Sequence, residues 1–280
     1  MINVSIVLYH SDKAQVKRLL DIVAPSKRVA HIYLIDNSEE RDEEYTWLYK
    51  NKTEYIFNGK NLGYGAAHNI GLRKTLQQRI GYHLVVNTDI EFDREILDEM
   101  EDFMRKNQDV GMLMPKVTYP DGSLQYLCKL LPTPMDLIGR RFLPAWMTRK
   151  RMRRFELRDS GYDNIMNVPY LSGCFMLLKA AALKKAGLFD ERFFMYPEDI
   201  DITRRIHREF LTLYYPNVSI VHNHEKASYK SKKLLKIHIE NMCRYFNKWG
   251  WIFDNERCQV NKATLSAIGR SDNLHIQAAE

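Results

Sequence analysis

A chain of 280 residues with 45% hydrophobic residues can bury one full core, and it fits a single large α/β domain or one domain with an appendage. No apolar run reaches the ~18 residues that span a bilayer, and no basic n-region with a long h-region opens the chain, so a cytoplasmic protein is expected. The formal charge of +7 points to an anionic partner, while the four cysteines (Cys128, Cys174, Cys243, Cys258) are far apart with no CxxC pairing, so neither a zinc site nor a disulfide framework is indicated.

In chain order, the apolar run from Val4 to Tyr9 predicts a buried first strand. Val16, Leu19, Leu20 and Val23 recur at helical spacing, and Pro25 ends that helix. His31 to Ile35 predicts a second strand, closed by Asp36-Asn37-Ser38, and Glu54 to Phe57 a third. Asn61-Leu62-Gly63-Tyr64-Gly65 then opens a helix over Ala66 to Leu76, where glycines let backbone amides approach a phosphate or sugar. A dinucleotide fingerprint fits this loop poorly, since His68 holds the third glycine position and the loop follows the third strand.

Leu84-Val85-Val86 is stopped abruptly by Asn87-Thr88-Asp89 before Ile90-Glu91-Phe92 resumes. That pattern predicts a buried strand surfacing at the sheet's carboxyl edge, where open α/β sheets bind ligands. Asp89 there suits Mn2+ or Mg2+ on a phosphorylated substrate, because hard cations take oxygen ligands; an Asx turn that only closes a strand explains the same residues. Leu171 to Leu178 predicts a strand entered through Ser172-Gly173, followed by a helix over Ala180 to Ala186. Pro197 is placed for a helix's first position, and Ile202, Ile206 and Phe210 mark one face of that helix. Glu198 and Asp199 then fall in the first turn, where the dipole favours their ionised forms. An ionised carboxylate can serve as a general base there, or can be plain helix-start chemistry. Pro216 to His224 predicts a late strand whose His222 and His224 share a face, as metal or phosphate contacts or as surface histidines.

Alternating strands and helices predict an α/β fold with a Rossmann-like, mostly parallel sheet flanked by helices. Residues 1–225 form that catalytic sheet domain in this reading, and 226–280 a basic helical extension whose polar tail after about Asn261 reads as loosely ordered or as a mobile cover. Two stretches, Arg140 to Arg158 and Lys226 to Lys248, interleave cations with aromatic residues. Either can be a solvated face, and both suit a membrane leaflet, a lipid pyrophosphate or nucleic acid; their pairing favours an anionic membrane surface.

Together these motifs resemble those of family 2 glycosyltransferases, in particular the bacterial branch of rhamnosyltransferases that build surface polysaccharides such as O-antigen. The resemblance runs through Tyr9, Asp36-Asn37-Ser38, Asn61-x-Gly63-Tyr64-Gly65 with Asn69 and Gly71, Asn87-Thr88-Asp89, and Ser172-Gly173-Cys174. It continues through Phe189-Asp190-Glu191 to Glu198-Asp199-x-Asp201 and His222-x-x-x-Lys226-x-Ser228, covering roughly residues 1–250. It implies a GT-A fold and an inverting transfer from a dTDP- or UDP-linked sugar to a lipid-linked oligosaccharide, at the inner face of the cytoplasmic membrane. By position it implies donor contacts at Tyr9, Asp36, Asn37, Asn61, Gly63, Tyr64, Asn69, Asn87, Asp89 and Gly173, with Asp36 on the pyrimidine. It implies metal or diphosphate contacts at Asp89 and His222, Asp199 as base, and acceptor contacts at Glu198 and Tyr196. Asn87 departs from the family's usual first carboxylate, leaving Asp89 as the clear anionic ligand. Competing readings are a sugar-phosphate nucleotidyltransferase, which lacks its triphosphate loop here, and a non-catalytic nucleic-acid-binding module, which leaves Asp190 to Asp201 unexplained; no nucleic-acid partner is expected.

Overall fold

A computed structural model describes residues 1–139, 143–223 and 232–270. The amino-terminal half alternates as predicted: β1 (Ile2–Leu8), α1 (Lys13–Val23), β2 (Val29–Asp36), β3 (Thr53–Phe57), α2 (Tyr64–Gln78) and β4 (Tyr82–Val86). After the short β5 (Ile90–Glu91) come α3 (Glu95–Lys106), β6 (Val110–Thr118), β7 (Cys128–Lys129), α4 (Ala145–Phe155), β8 (Met166–Asn167) and β9 (Tyr170–Leu171). β10 (Phe175–Lys179), α5 (Ala180–Ala186), α6 (Glu198–His207), β11 (Leu211–His222), α7 (Lys232–Trp249) and α8 (Asn255–Arg270) complete the order.

The main sheet has nine strands in the order β3-β2-β1-β4-β10-β6-β11-β5, with β8 beside β11. β3, β2, β1 and β4 are parallel neighbours, so Leu8, Asp36 and Phe57 reach one edge in register. Helices cover both faces of the sheet, which is why its central strands read as unbroken apolar runs. Along β4, Leu84 and Val86 enter the core layer shared with α1 and α3, whereas Val85 enters the layer shared with α5, α6 and α7.

Four features differ from the sequence expectation. Leu171 to Leu178 is two strands, because Ser172 to Cys174 turns the chain: β9 pairs with β7 in a separate two-stranded sheet, and β10 joins the main one. β10 runs antiparallel to both β4 and β6, which small-residue turns permit and apolar runs do not announce. The late strand starts at Leu211 and its register against β6 jumps from Tyr215–Pro115 to Ser219–Lys116, a bulge beside a proline that has no N–H to pair. Residues 261–270 belong to α8 and do not form a loose tail: Asn261 exchanges hydrogen bonds with the Leu131 backbone at 2.8 and 2.9 Å.

The carboxyl-terminal helices pack on the same layer as α6. A buried Arg204 on α6 makes a two-pronged pair with Asp254 (2.8 and 2.7 Å), reaches Glu256 at 2.7 Å, and stacks over Trp249 at 4.1 Å. Among the described residues no helix is long and apolar enough to cross a membrane.

Candidate active site

The carboxyl ends of β1, β2 and β4 gather the sequence-predicted residues along one edge. At the β1–β2 end, Asp36 is almost fully buried and accepts from the Tyr55 hydroxyl at 2.6 Å and from the Ser38 N–H at 2.9 Å. A carboxylate has lone pairs to spare after two such bonds. It lines a cleft of about 410 Å3 with Leu8, His10, Ser38 and Tyr45, and the half-exposed ring of Tyr9 packs against His10 at 4.4 Å.

Asn37 and Asn61 act on the neighbouring loop. Asn37 donates to Asn61 Oδ1 and to the Gly63 carbonyl, both at 3.3 Å, and accepts from Asn58 at 2.9 Å. Gly63 has φ +88°, and a Cβ there would lie 2.4 Å from the Phe194 carbonyl, so only glycine lets this loop meet the 189–196 segment. Asn69, expected at the donor, is buried instead. Its amide accepts from the Phe189 N–H at 3.0 Å and donates to the Phe189 carbonyl and to Glu191 at 2.9 Å, which makes it a clip between α2 and that segment.

The turn at Gly173 ties the remaining residues into one unit. The Gly173 N–H donates to Asp199 Oδ2 at 3.1 Å, and the Tyr64 hydroxyl shares its hydrogen between the Gly173 carbonyl (2.6 Å) and Asn87 Oδ1 (3.0 Å). The Asn87 N–H donates to the Cys174 carbonyl at 3.0 Å. Asp199 Oδ1 also accepts from the Ile200 N–H at 2.8 Å.

Burial raises both carboxyls and reverses the expected ionisation of Glu198. Asp199 is pushed up to about 6, chiefly by desolvation, with the Gly173 N–H and Lys129 opposing the rise. Glu198 is pushed well above the carboxylate range by burial and by the neighbouring Asp199, and its Oε2 has no hydrogen-bond partner in the described structure. The helix dipole is worth a few tenths to ~2 kcal/mol, too little to offset a fully buried charge. Burial therefore favours a single charge on the pair, and the Gly173 and Ile200 N–H groups draw it to Asp199.

Across the edge, Asp89 Oδ2 faces His222 Nε2 at 3.3 Å. Gln125, which no sequence pattern singled out, sets the imidazole. Its amide N–H2 donates to the His222 carbonyl at 2.9 Å, so its Oε1 must accept from His222 Nδ1, also at 2.9 Å. The tautomer follows: in the neutral ring the Nε2 lone pair points toward Asp89. His224, Lys226 and Ser228 lie outside the described residues, so the doubt between the two histidines is narrowed only through the contacts of His222. Among the described residues no three His, Cys, Asp or Glu side chains converge as a complete metal cage.

Tyr196 has φ +94°, a strained backbone for a tyrosine, immediately before Pro197 and the start of α6. α7 holds this segment: Asn241 donates to the Met195 carbonyl at 3.0 Å, Arg244 to the Arg192 carbonyl at 2.9 Å, and His238 meets the Tyr196 ring edge-on at 4.7 Å. Lys248 bridges Asp190 at 2.8 Å and Asp201 at 2.6 Å. Arg192 and Lys248 hold the Asp190 carboxyl well below its usual range. Part of the second basic stretch thus secures the 190–196 segment. Asp201 is fully buried and also takes Arg205 at 2.8 Å and the Trp249 indole at 2.8 Å. Asp201→Ala strands those cations, and a loss of roughly 3–5 kcal/mol is expected in urea unfolding.

A mixed α/β sheet with ligand-facing residues at the ends of its parallel strands is the architecture of GT-A glycosyltransferases. GalNAc-T7 with UDP, GalNAc and Mn2+ superposes with a TM-score of 0.60 at 16% identity, over 99% of this chain and 52% of that one. The glycosyl transferase family 2 model matches residues 4–187, so the chain belongs to glycosyl transferase family 2. An N-acetylglucosaminyl-diphospho-decaprenol L-rhamnosyltransferase of Mycobacterium tuberculosis is 29% identical over 181 residues, 59% of this chain and 57% of the relative. The match thus spans little over half of that relative's length. A low-salt glycan biosynthesis hexosyltransferase, Agl10, of Haloferax volcanii is 23% identical over 95% of this chain and 81% of its own.

Proposed function

We propose that this glycosyltransferase moves a hexose, with rhamnose the first to test, from a dTDP- or UDP-linked donor to a hydroxyl of a lipid-linked glycan, inverting the anomeric carbon. The observation that carries the reading is the double use of Gly173. Through its N–H it holds Asp199, and through its carbonyl it holds Tyr64 and hence Asn87, so one turn sets the base relative to the donor edge.

In this mechanism the nucleoside occupies the cleft at Asp36, with Tyr9 beside it, and the Gly63 loop lies over the nucleoside side. The acceptor hydroxyl attacks from the face opposite the leaving diphosphate. Its proton goes to Asp199 as the new C–O bond forms and the donor's C–O bond breaks. Protonated Glu198 can donate a hydrogen bond to an acceptor oxygen, and Tyr196 borders the acceptor's path.

The Asp89 carboxylate, a hard donor, and the Nε2 lone pair of His222, a borderline one, form a pair that fits Mn2+ better than Mg2+, with Gln125 fixing the ring. When bound, the ion offsets the charge that develops on the leaving diphosphate. The mycobacterial relative's printed activity, on a diphospho-decaprenol, supports the lipid-linked acceptor and, through it, a place beside a membrane. Gln125→Leu removes the acceptor for Nδ1 and is expected to weaken Mn2+-dependent nucleotide binding 10- to 100-fold in calorimetry, with the fold retained. The whole reading is tested by a panel of nucleotide sugars scored for Mn2+-dependent thermal stabilisation and slow hydrolysis. Stabilisation by dTDP- or UDP-sugars is expected; none from any nucleotide sugar would overturn it.

A further inference from the structure

We infer that the turn between α7 and α8, together with the basic cleft beside it, is the surface that docks this protein on an anionic phospholipid bilayer, an inference that rests on the lipid-linked acceptor proposed above. Ile252 and Phe253 at the tip of that turn are 76% and 92% exposed, and the adjoining Trp251 is 39% exposed. The tip is built to be presented. Gly250 takes φ +102°, where a Cβ would strike the Phe253 carbonyl at 2.5 Å, and Arg257 donates to the Ile252 carbonyl at 3.0 Å. The Trp251 indole is turned inward to Asn247 at 2.8 Å. Consecutive apolar side chains held rigidly in water mark an interaction site, not a relaxed loop.

Charge selects the partner. Asn247 also lines a cleft of about 600 Å3 with Glu191, Arg192, Phe193, Arg244 and Lys248, and Glu191 is paired with Arg73. Lys248 is neutralised by Asp190 and Asp201, and Arg192 by Asp190. Arg244 meets only a carbonyl and an amide oxygen, and no carboxylate pairs with it among the described residues. A second projection is braced to the first. Arg257 reaches the Pro132 carbonyl at 3.4 Å, and Asp136, four residues on, pairs with Arg151 of α4 at 2.6 Å. The first turn of α4 carries Trp146 (78% exposed) and Met147 (53% exposed), followed by the exposed Arg149 and Lys150. Apolar tips rimmed by cations suit the boundary between acyl chains and phosphate headgroups, where each nearby cation adds to the attraction. A neutral groove on a protein would leave those cations unused.

The test compares the wild-type chain with the Ile252→Ser/Phe253→Ser double variant and with Arg244→Glu, each checked for fold by circular dichroism. Sedimentation uses vesicles of phosphatidylcholine alone and with phosphatidylglycerol. Wild type is expected to sediment only with the anionic vesicles, the double variant to partition at least tenfold more weakly, and Arg244→Glu to lose several-fold with a flatter salt dependence. Nucleotide-sugar hydrolysis without vesicles should be unchanged in the double variant. Equal sedimentation of the double variant and wild type would overturn the inference, as would wild-type binding to neither vesicle or self-association through the tip that the double variant abolishes. Vesicle binding by a chain that hydrolyses no nucleotide sugar would remove the proposed activity and leave the docking surface standing.

Discussion

Asp199→Asn is expected to reduce sugar transfer by 10²- to 10⁴-fold while nucleotide-sugar affinity stays within a factor of a few, since the base acts on the acceptor and not on the nucleotide. Single-turnover transfer and calorimetric binding measured on the same variant separate the two effects. Retained turnover would remove Asp199 from the role of base. The pH profile carries a second signature. Transfer requires the ionised form, so the rate should rise with an acid limb near pH 6, an apparent value that belongs to the Glu198–Asp199 pair. Stability runs the other way. Both carboxyls are raised in the fold, so their contribution is complete below about pH 4; the Asp199 part is lost as pH climbs through about 6, and the Glu198 part goes on being lost at higher pH. In Asp199→Asn that loss should shrink, which thermal unfolding between pH 4 and pH 8 reads directly. Glu198→Gln keeps a neutral, hydrogen-bonding side chain and should cost far less activity than Asp199→Asn.

Asp89→Ala is expected to abolish Mn2+-dependent donor binding, by on the order of a hundredfold or more, because Asn87 supplies no second charge at this edge. Metal removal by a chelator should reproduce that loss in the wild type and change nothing in the variant. Titration of the nucleoside diphosphate with and without Mn2+ checks both statements. Metal-independent binding of equal strength in the two proteins would discard the cation and leave Asp89 as an Asx-turn residue.

Asp89 and Asp199 were both visible from the amino-acid sequence because their surroundings are local. An apolar run stopped by Asn87-Thr88-Asp89 has to surface at a sheet edge, and a proline before two carboxylates and an Ile202–Ile206 stripe has to start a helix. The Gly63 loop was legible for the same reason, although the sequence could not reveal that its glycine clears the Phe194 carbonyl. Roles that depend on what lies opposite were not legible. Asn69 and Asp201 carry the same chemistry as the ligand candidates, yet one clips α2 to Phe189 and the other collects Arg205, Lys248 and Trp249.

The alternation of strands and helices as far as β4 and the carboxyl-edge position of the polar tripeptides were therefore legible in the sequence through periodicity and short-range spacing, and the order of its motifs carried the resemblance to the family. Tertiary structure decided the rest. It turned β10 antiparallel and brought Gln125 beneath His222 from 97 residues away. It also buried Glu198 deeply enough to hold its proton, and committed two cations of α7 to the 190–196 segment. Desolvation and long-range hydrogen bonds depend on which surfaces meet in space, and that is a property of the packed chain, not of any window along it.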